Sequence, residues 1–380
     1  MAQRKRAPWL WLIVAALLLA GGAWLMRGAE PPSRPPPPPV RLPTRMNGSE
    51  HLRADNRRTW VPVPSLDAGL APSAPPPARD PVLALMPPEV KRAAVVAEFN
   101  AIVNSELGSL MTDCLFGDDS SFLGDLRDAG MDPITKIDRV AMVDDSLVVT
   151  GDFKNAQWKK FLPDDAVAKG YGRQGELIEV KREDGGIDTF AVWGGQMFVA
   201  GGDEASQRAI LDRLEGNGPP AKPVLDESMA YGEVYGVVTA GALADLIGRQ
   251  DARLGETIRQ SAKSVQLHMD VSHDVGLVAD VDSEDPQKTE ELRRSLGSAL
   301  SLARLQAQAQ GKTEQADLLD LAHVRSAGGT SGFRLEAGLP YEYMEKAFRQ
   351  CVADRKERAA AKLRSPEPVP VIPSGVEGPP

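Results

Sequence analysis

The sequence predicts an α+β fold in which antiparallel β-sheet is covered by α-helices. Two observations predict this class: β-type runs occur in adjacent pairs, and a capped amphipathic helix follows each pair. This unit recurs four times along the chain, which is the pattern of an internal repeat. Two strands joined by a short turn run antiparallel, because parallel strands need a long crossover. We therefore expect repeated β-hairpin-helix units that form one or more antiparallel sheets, covered on one side by helices.

The four units lie in the second and third quarters of the chain and beyond. Their strongest strand patterns lie at 137–143, 147–150, 189–193, 197–200, 265–271 and 333–337. Their helices are predicted to begin near Asn155, Asp203, Asp285 and Pro340. Two further helical stretches are predicted, over 89–114 before the first unit and over 241–263 between the second and the third.

A break in the repeat divides the predicted fold into two modules. Residues 216–223 include Pro219 and Pro220 and have the pattern of neither a strand nor a helix. Because two units lie on either side of this break, we predict similar α+β modules at 88–216 and 224–364. The sequence leaves open whether the sheets of the two modules are separate or merged.

The N-terminus has the pattern of a membrane span. Residues 7–26 contain no charged side chain, and a helix of that length, at about 1.5 Å per residue, crosses a hydrocarbon layer of about 30 Å. The basic cluster within residues 1–6 predicts a cytoplasmic stub and a transmembrane anchor that sends the rest across the membrane. A cleavable signal peptide has the same order of basic and apolar residues. Either interpretation places the remainder in the periplasm or outside the cell.

Proline separates this span from the predicted fold. Of the 31 prolines, 17 lie between Pro31 and Pro88, and the run at 35–39 favours an extended polyproline conformation. We therefore predict a disordered linker over 27–87 and, from its six prolines, a disordered tail over 365–380. An N-terminal anchor, a proline-rich spacer and an exported domain together resemble the layout of TonB and related envelope-bridging proteins. The resemblance involves no sequence motif and implies no activity.

The charge balance excludes nucleic acid as a partner. Residues 88–380 contain 33 basic and 48 acidic residues, a net charge of −15, whereas phosphate backbones are bound by clustered lysine and arginine. The glycine string at 170–175 follows a predicted helix and precedes a strand, which is the reverse of a dinucleotide-binding loop. The four histidines lack the spacing of metal ligands, and His268 is predicted on an exposed strand face. We therefore predict neither a cofactor nor a metal.

Cys114 and Cys351 are the only cysteines in the chain. Each lies on the apolar face of a predicted helix, and an exported chain meets an oxidising compartment in which such a pair can form a disulfide. A bridge would join the first helix of the fold to the last and stabilise the fold by a few kcal/mol. The alternative is two buried thiols that do not meet.

Four tyrosines are candidates for a binding surface, because tyrosine offers both contact area and a hydroxyl group. They are Tyr231, Tyr235, Tyr341 and Tyr343, and the alternative for each is partial burial in a sheet or helix face. No constellation of residues specifies a reaction. The leading hypothesis is therefore a membrane-anchored, non-enzymatic envelope protein that binds a protein partner or acts as a scaffold. The alternatives are a sensor or carrier with a ligand cleft between the modules, and a hydrolase acting on envelope material.

Overall fold

A computed structural model describes residues 40–60, 78–115, 132–156, 163–182, 184–217, 222–249, 251–327 and 332–364. Within these ranges the chain forms eleven α-helices and one large antiparallel β-sheet, so the predicted α+β class is confirmed. The predicted membrane span and the predicted C-terminal tail lie outside the described residues. None of the described helices is both long enough and apolar enough to cross a membrane.

The sheet has twelve strands, and its neighbouring strands pair antiparallel. In chain order the strands are β1 (Ala93–Ala97), β2 (Ile137–Val143), β3 (Ser146–Gly151), β4 (Val167–Tyr171), β5 (Gly175–Lys181), β6 (Ile187–Trp193), β7 (Met197–Gly201), β8 (Val234–Thr239), β9 (Ser264–Asp270), β10 (Val275–Asp282), β11 (Ala322–Ser326) and β12 (Phe333–Leu339). Their order across the sheet is β11-β12-β10-β9-β8-β1-β2-β3-β7-β6-β5-β4. Because β8 pairs with β1, the strands on either side of the predicted module boundary belong to one merged sheet.

The helices follow the caps that the sequence contains. In chain order they are α1 (Gly48–Arg57), α2 (Pro81–Ala84), α3 (Phe99–Val103), α4 (Glu106–Leu115), α5 (Pro133–Lys136), α6 (Glu204–Glu215), α7 (Ala240–Ile247), α8 (Ala252–Ser261), α9 (Pro286–Ala309), α10 (Thr313–Leu319) and α11 (Tyr341–Arg364). Asp203 and Asp285 cap α6 and α9 by accepting backbone N–H groups of the first turn, as predicted. The predicted helical stretch over 241–263 corresponds to α7 and α8.

The two strands that meet at the junction of the predicted modules, β1 and β8, which we call the central strands, are absent from the sequence prediction. Residues 93–97 lie within the helix predicted over 89–114, but they form β1, and α3 begins only at Phe99. The prediction is wrong here because a strand that is buried on both faces lacks the polar-apolar alternation of a half-buried strand. β8 has the same nearly uniform apolar character and was not predicted either.

Two local predictions also differ from the structure. The glycine string at 170–175 forms the turn of the β4–β5 hairpin, with Gly172 at a φ of 64°, and the residues directly before it, 167–169, belong to β4 rather than to a helix. The helix predicted to begin near Asn155 is not present at 155 and 156, where the chain forms a turn, and its remainder lies outside the described residues.

Helices pack on both faces of the sheet. On the first face, α2 and α6 cover the largest apolar cluster, which includes Leu83, Leu211 and Tyr235. A second cluster, around Ile258 and Leu292, lies beneath α7, α8 and α9. The strand register places this second cluster on the opposite face, because cross-strand partners share a face. The expectation that helices cover one side is therefore wrong for the sheet as a whole.

Part of the predicted linker folds onto the sheet. Residues 48–57 form α1, in which the Asn47 side chain accepts the N–H of Glu50 and the Glu50 side chain accepts the N–H of Asn47. This is a complete capping box. The prediction of disorder is wrong for these residues, because the high proline content of 27–87 as a whole hides a proline-free window at 44–61.

The pairing of β1 with β8 can be tested at Gly236, which lies opposite Val95. A Cβ at this position would overlap the carbonyl oxygen of Ala94, so Gly236→Val must push the two central strands apart. We expect the unfolding free energy to fall by about 2–4 kcal/mol in urea denaturation. Gly170→Val in the edge strand β4, where no atom lies within 4 Å of an added Cβ, is the control and should cost less than about 0.5 kcal/mol. Equal losses in the two variants would contradict the close approach of the strands.

Candidate functional site

Residues 40–60, which we call the strap, cross the first face of the sheet at one end of its strands. The strap begins directly on β10 and β12. A Cβ on Gly276 would overlap the carbonyl oxygen of Arg41, and one on Gly338 would lie 2.9 Å from Val40 Cβ. Glycine at these two positions therefore removes the side chains that would hold the strap away from the sheet.

The other end of the strap is fixed at Trp60. Its backbone N–H donates to the carbonyl of Arg79 at 3.0 Å, and the Arg79 N–H donates back to the Trp60 carbonyl at 2.7 Å. The indole N–H donates to the carbonyl of Leu214 at 2.7 Å, at the end of α6. These three hydrogen bonds join Trp60 to the part of the chain that packs on the first face of the sheet, so this end of the strap has a fixed position.

Between these ends, α1 is attached to the sheet by charged groups. Glu50 is its only buried residue, and its Oε1 accepts a hydrogen bond of 2.7 Å from the N–H of Gly232. Leu52, the one large aliphatic side chain of α1, is 67% exposed. Arg58 donates to Glu227 Oε2 from Nε and Nη2, at 3.0 and 2.8 Å. The attachment therefore depends on electrostatic attraction, which salt weakens, more than on burial of apolar area.

Arg57 makes the most buried contact of the strap. It donates to Glu98 Oε1 at 2.7 Å, lies 2.6 Å from Glu98 Oε2, and reaches Asp138 at 3.2 Å. Glu98 is 3% exposed and also accepts the hydroxyl of Tyr235 at 2.9 Å. Burial and the nearby Arg139 lower the pKa of Arg57, but its carboxylate partners outweigh them and the pKa is raised. Burial, followed by the Glu98 carboxylate, raises the pKa of Tyr235 well above its ordinary value, so its hydroxyl remains a donor.

A second ion pair lies beneath the first. Arg139 on β2 donates to both carboxylate oxygens of Asp80, at 2.5 and 2.9 Å, and the two residues are 3% and 5% exposed. Burial lowers the pKa of Arg139, but the attraction and hydrogen bonds of Asp80 raise it above its ordinary value, so the guanidinium stays charged. Asp80 also accepts the N–H of Val82 at 2.8 Å and thereby caps α2. The pair therefore fixes α2 on the sheet.

Glu233, next to the strap, titrates near neutral pH. It is 8% exposed, and its Oε2 accepts the N–H of Val271 at 3.0 Å. Burial, followed by a hydrogen bond and repulsion from Asp270, raises the pKa of Glu233 to about 7. Arg53 of the strap lies 4.0 Å from Glu233 Oε1 and opposes this rise. A proton on Glu233 is therefore gained or lost in the physiological range of pH.

These groups surround a small cavity between α1 and the sheet. Its wall includes Glu50, Arg57, Glu98, Gly232 and Tyr235, and its enclosed volume is about 20 Å³. A space of this size holds about one water molecule. The site can therefore hold the strap by ion pairs and bind a proton beside it, but the cavity has no room for a small-molecule substrate.

His268 and Tyr231 form a buried stack beside this site. Their ring centroids lie 3.7 Å apart with an interplanar angle of 2°, and His268 is 0% exposed. Its Nδ1 lies 3.3 Å from the carbonyl oxygen of Tyr231, and its Nε2 lies 2.8 Å from the amide nitrogen of Gln266. A carbonyl only accepts, so Nδ1 carries the proton and Nε2 accepts from Gln266. Burial lowers the pKa of His268, and the predicted exposure of this histidine is wrong.

The structure does not bring the four candidate tyrosines together as one exposed surface. Tyr231 and Tyr235 are 8% and 1% exposed, so they pack within the fold and have little area to offer a partner. Tyr341 and Tyr343 lie in the first turn of α11, where the ring of Tyr341 stacks on that of His273 at a centroid distance of 4.8 Å. For Tyr231 and Tyr235, burial is therefore the correct alternative.

The two cysteines meet as predicted. Cys114 in α4 and Cys351 in α11 lie at disulfide-bonding distance, with their Cα atoms 5.6 Å apart. Leu107 and Phe348 are the buried apolar residues packed with them. The bridge joins positions 237 residues apart in the chain and ties the two helices together.

Comparisons of the chain with protein-family models, curated proteins and solved structures give no match. Within the described part of the chain, no group of three or more histidine, cysteine or carboxylate side chains could hold a metal ion. The defining feature of the site is therefore its own geometry, a basic strap that lies on acidic groups at one end of a sheet.

Sequence patterns did not identify the ionic groups of this site. Glu98 lies inside the segment predicted as a helix, and Arg139 is one polar residue in an alternating strand. Two local patterns indicate the neighbouring elements: the capping box from Asn47 to Glu50, and Asp80 followed by a proline, which is a favourable helix start. Neither pattern identifies the charged partner across the sheet.

The buried pair of Asp80 and Arg139 predicts a non-additive stability effect. Arg139→Met leaves the Asp80 carboxylate buried without its cation, and we expect the unfolding free energy to fall by about 3–5 kcal/mol in urea denaturation. Adding Asp80→Asn removes the orphaned charge and should restore at least half of the loss. Arg349→Met, which breaks an exposed pair on α11, is the control and should cost less than about 1 kcal/mol. Simple addition of the two single effects would contradict a direct pair.

The raised pKa of Glu233 predicts a pH dependence. Because the folded state holds this proton more tightly than the unfolded state, the associated stability is complete below about pH 4.5 and is lost as the pH rises through about 7. We expect the unfolding free energy to decline by about 1–3 kcal/mol across this window, and Glu233→Gln to remove that decline. Asp270→Asn should move the decline to lower pH, because it removes a repelling carboxylate. An unchanged profile in both variants would assign the pH dependence to other groups.

Proposed function

We propose that this protein is a non-enzymatic scaffold of the cell envelope. In this proposal residues 7–26 anchor it in the membrane, the sheet lies on the non-cytoplasmic side, in the periplasm, and a protein partner binds the folded region. The observation that carries the proposal is the single twelve-stranded sheet, in which β1 and β8 pair along their whole length. A continuous sheet with interior strands paired on both sides is a rigid platform, which suits a scaffold.

The order of the strands supports the further proposal of two similar modules, 88–216 and 224–364. Outward from the central pair, one half reads β1-β2-β3-β7-β6 and the other reads β8-β9-β10-β12-β11. In both halves a strand is followed by helices, a hairpin, an insertion, a second hairpin and a helix. The insertions differ, since the first contains β4 and β5 and the second contains α9 and α10. We infer that a duplicated unit gave rise to both halves.

The cysteine pair supports a location outside the cytoplasm. Disulfides form and persist in oxidising compartments such as the periplasm, whereas cytoplasmic thiols are kept reduced. Cys114 and Cys351 lie at bonding distance. This agrees with the apolar segment at 7–26, which would export everything that follows it.

The geometry favours the scaffold over a ligand carrier or a hydrolase. A carrier needs a cleft between modules, but backbone hydrogen bonds of β1 and β8 occupy the junction. The acidic groups beside that junction, among them Glu98 and Asp80, are engaged by arginines rather than directed at a shared open space. The cavity between them has room for about one water molecule.

Cross-linking of the full-length chain in its native membrane tests the proposal. We expect the chain in the membrane fraction, accessible to protease from the non-cytoplasmic side, with a reproducible protein partner identified by mass spectrometry. Deleting residues 7–26 should move the chain out of the membrane fraction. Gly236→Val should abolish capture of the partner and Gly170→Val should not, because only the former disturbs the central strands. A protein in the soluble fraction, or capture that is unaffected by Gly236→Val, would contradict the proposal.

A further inference from the structure

The contacts of the strap can open without unfolding the sheet. Pro43 and Glu50 are the only buried residues of the strap, so undocking it uncovers a single buried apolar side chain together with the half-buried Val40, Leu42 and Met46. The Arg58–Glu227 pair is half-exposed, with side-chain exposures of 45% and 35%, and pairs of this kind are weak and screened by salt. Arg57 is the exception, because its partner Glu98 is almost completely buried while the strap is docked.

Net charge holds the strap against the rest of the chain. Residues 40–60 contain five arginines and two carboxylates, a net charge of +3, whereas residues 88–380 carry −15. Attraction between opposite charges across a solvent-accessible contact falls as the screening length shortens from about 10 Å at 0.1 M salt to about 3 Å at 1 M. Salt should therefore shift the strap toward the undocked state without acting on the apolar core.

Most groups that undocking would uncover retain a partner. Glu98 keeps the hydrogen bond from the Tyr235 hydroxyl at 2.9 Å, and Glu233 keeps the one from the N–H of Val271 at 3.0 Å. The Gly232 N–H, which loses Glu50, becomes open to water. On the strap, the capping box is internal to α1 and does not depend on the sheet.

The hydrogen bonds of Trp60 define where the opening stops. This residue is joined to Arg79 by two backbone hydrogen bonds and to Leu214 through its indole, and none of these contacts involves the ion pairs of α1. Undocking can therefore run from residue 40 up to Trp60 while Trp60 stays on the fold. Trp60 would then act as the hinge.

We propose that the strap is a releasable latch that sets the length of the tether between the N-terminal segment and the sheet. With the strap docked, the chain already contacts the sheet at residues 40 and 41. With the strap undocked, the tether gains the 20 residues up to Trp60, which span at most about 70 Å when extended. Only the use of the latch rests on the proposed function, because a variable reach is useful to an anchored scaffold. The latch itself depends only on contacts between the strap and the rest of this chain.

Hydrogen–deuterium exchange of the full-length chain in detergent micelles tests the latch. The readout compares peptides covering residues 47–58 with peptides covering β1 and β8. At about 0.05 M salt the strap should be protected, and at about 1 M its exchange should rise about tenfold while β1 and β8 stay unchanged. Arg57→Gln combined with Arg58→Gln should cause a similar rise at low salt. Arg259→Gln combined with Arg349→Gln, which removes two exposed arginines elsewhere, should have no effect on the strap.

A charge reversal at the exposed pair keeps the test independent of the buried one. Arg58→Glu should increase exchange of the strap by about threefold, and adding Glu227→Arg should restore protection, because the attraction returns with opposite sign. The latch is overturned when the strap exchanges no faster than β1 and β8 at either salt concentration, or when the reversed pair fails to restore protection. Neither result involves the membrane or a partner, so the proposed function would still be judged by cross-linking.

Discussion

The backbone pairing of β1 with β8 is the contact on which the rest of the structure depends. It joins residues 93–97 to residues 234–238 and thereby merges strands from two distant parts of the chain into one sheet. The pairing requires small or apolar residues, because Ala93 and Ala94 are fully buried and Gly236 sits against the neighbouring backbone. Without this pair each half would end in an apolar open edge, which is prone to aggregation. Six of the other pairings are hairpins between consecutive strands, whereas β3 with β7 and β10 with β12 pair across insertions in the chain.

Acidic groups collect at the end of that central pair, and their burial gives the strap its role. The N–H of Glu98, which follows β1, donates to the carbonyl of Glu233, which precedes β8, at 2.7 Å. A carboxylate that is buried without a cation costs several kcal/mol, whereas one open to water carries no such penalty. Arg57 neutralises Glu98 in the docked strap, and in the proposed undocked state water would hydrate Glu98. Asp80 does not become hydrated in this way, because its partner Arg139 belongs to the sheet and does not leave with the strap. This inner pair is therefore permanent.

Strands and helices that bury one face were predictable from the sequence, and strands that bury both faces were not. A strand with one buried face, or a helix with a capped end, has a signal that appears directly in the residue pattern. The alternation in β2, β9 and β12 and the caps of α6 and α9 are such signals. β1 and β8 are covered on both faces and have no such period. The pair of Asp80 and Arg139 depends on tertiary packing between positions 59 residues apart, which no local pattern encodes. The cysteine pair was accessible because only two cysteines exist and both lie on apolar helix faces.

The strap and the cysteine bridge act at the same end of the sheet. Antiparallel register places the end of β1 beside the start of β8, and the start of β10 beside the end of β12. α4 lies shortly after β1 and α11 directly follows β12, and the contact of Cys114 with Cys351 ties these two helices together. An ionic contact weakens with salt and with protonation, whereas a disulfide responds to neither. Undocking of the strap would therefore lengthen the tether without loosening the helices packed at that end. A reversible contact beside a covalent one would let the reach of the protein vary while the sheet and its helices keep their arrangement.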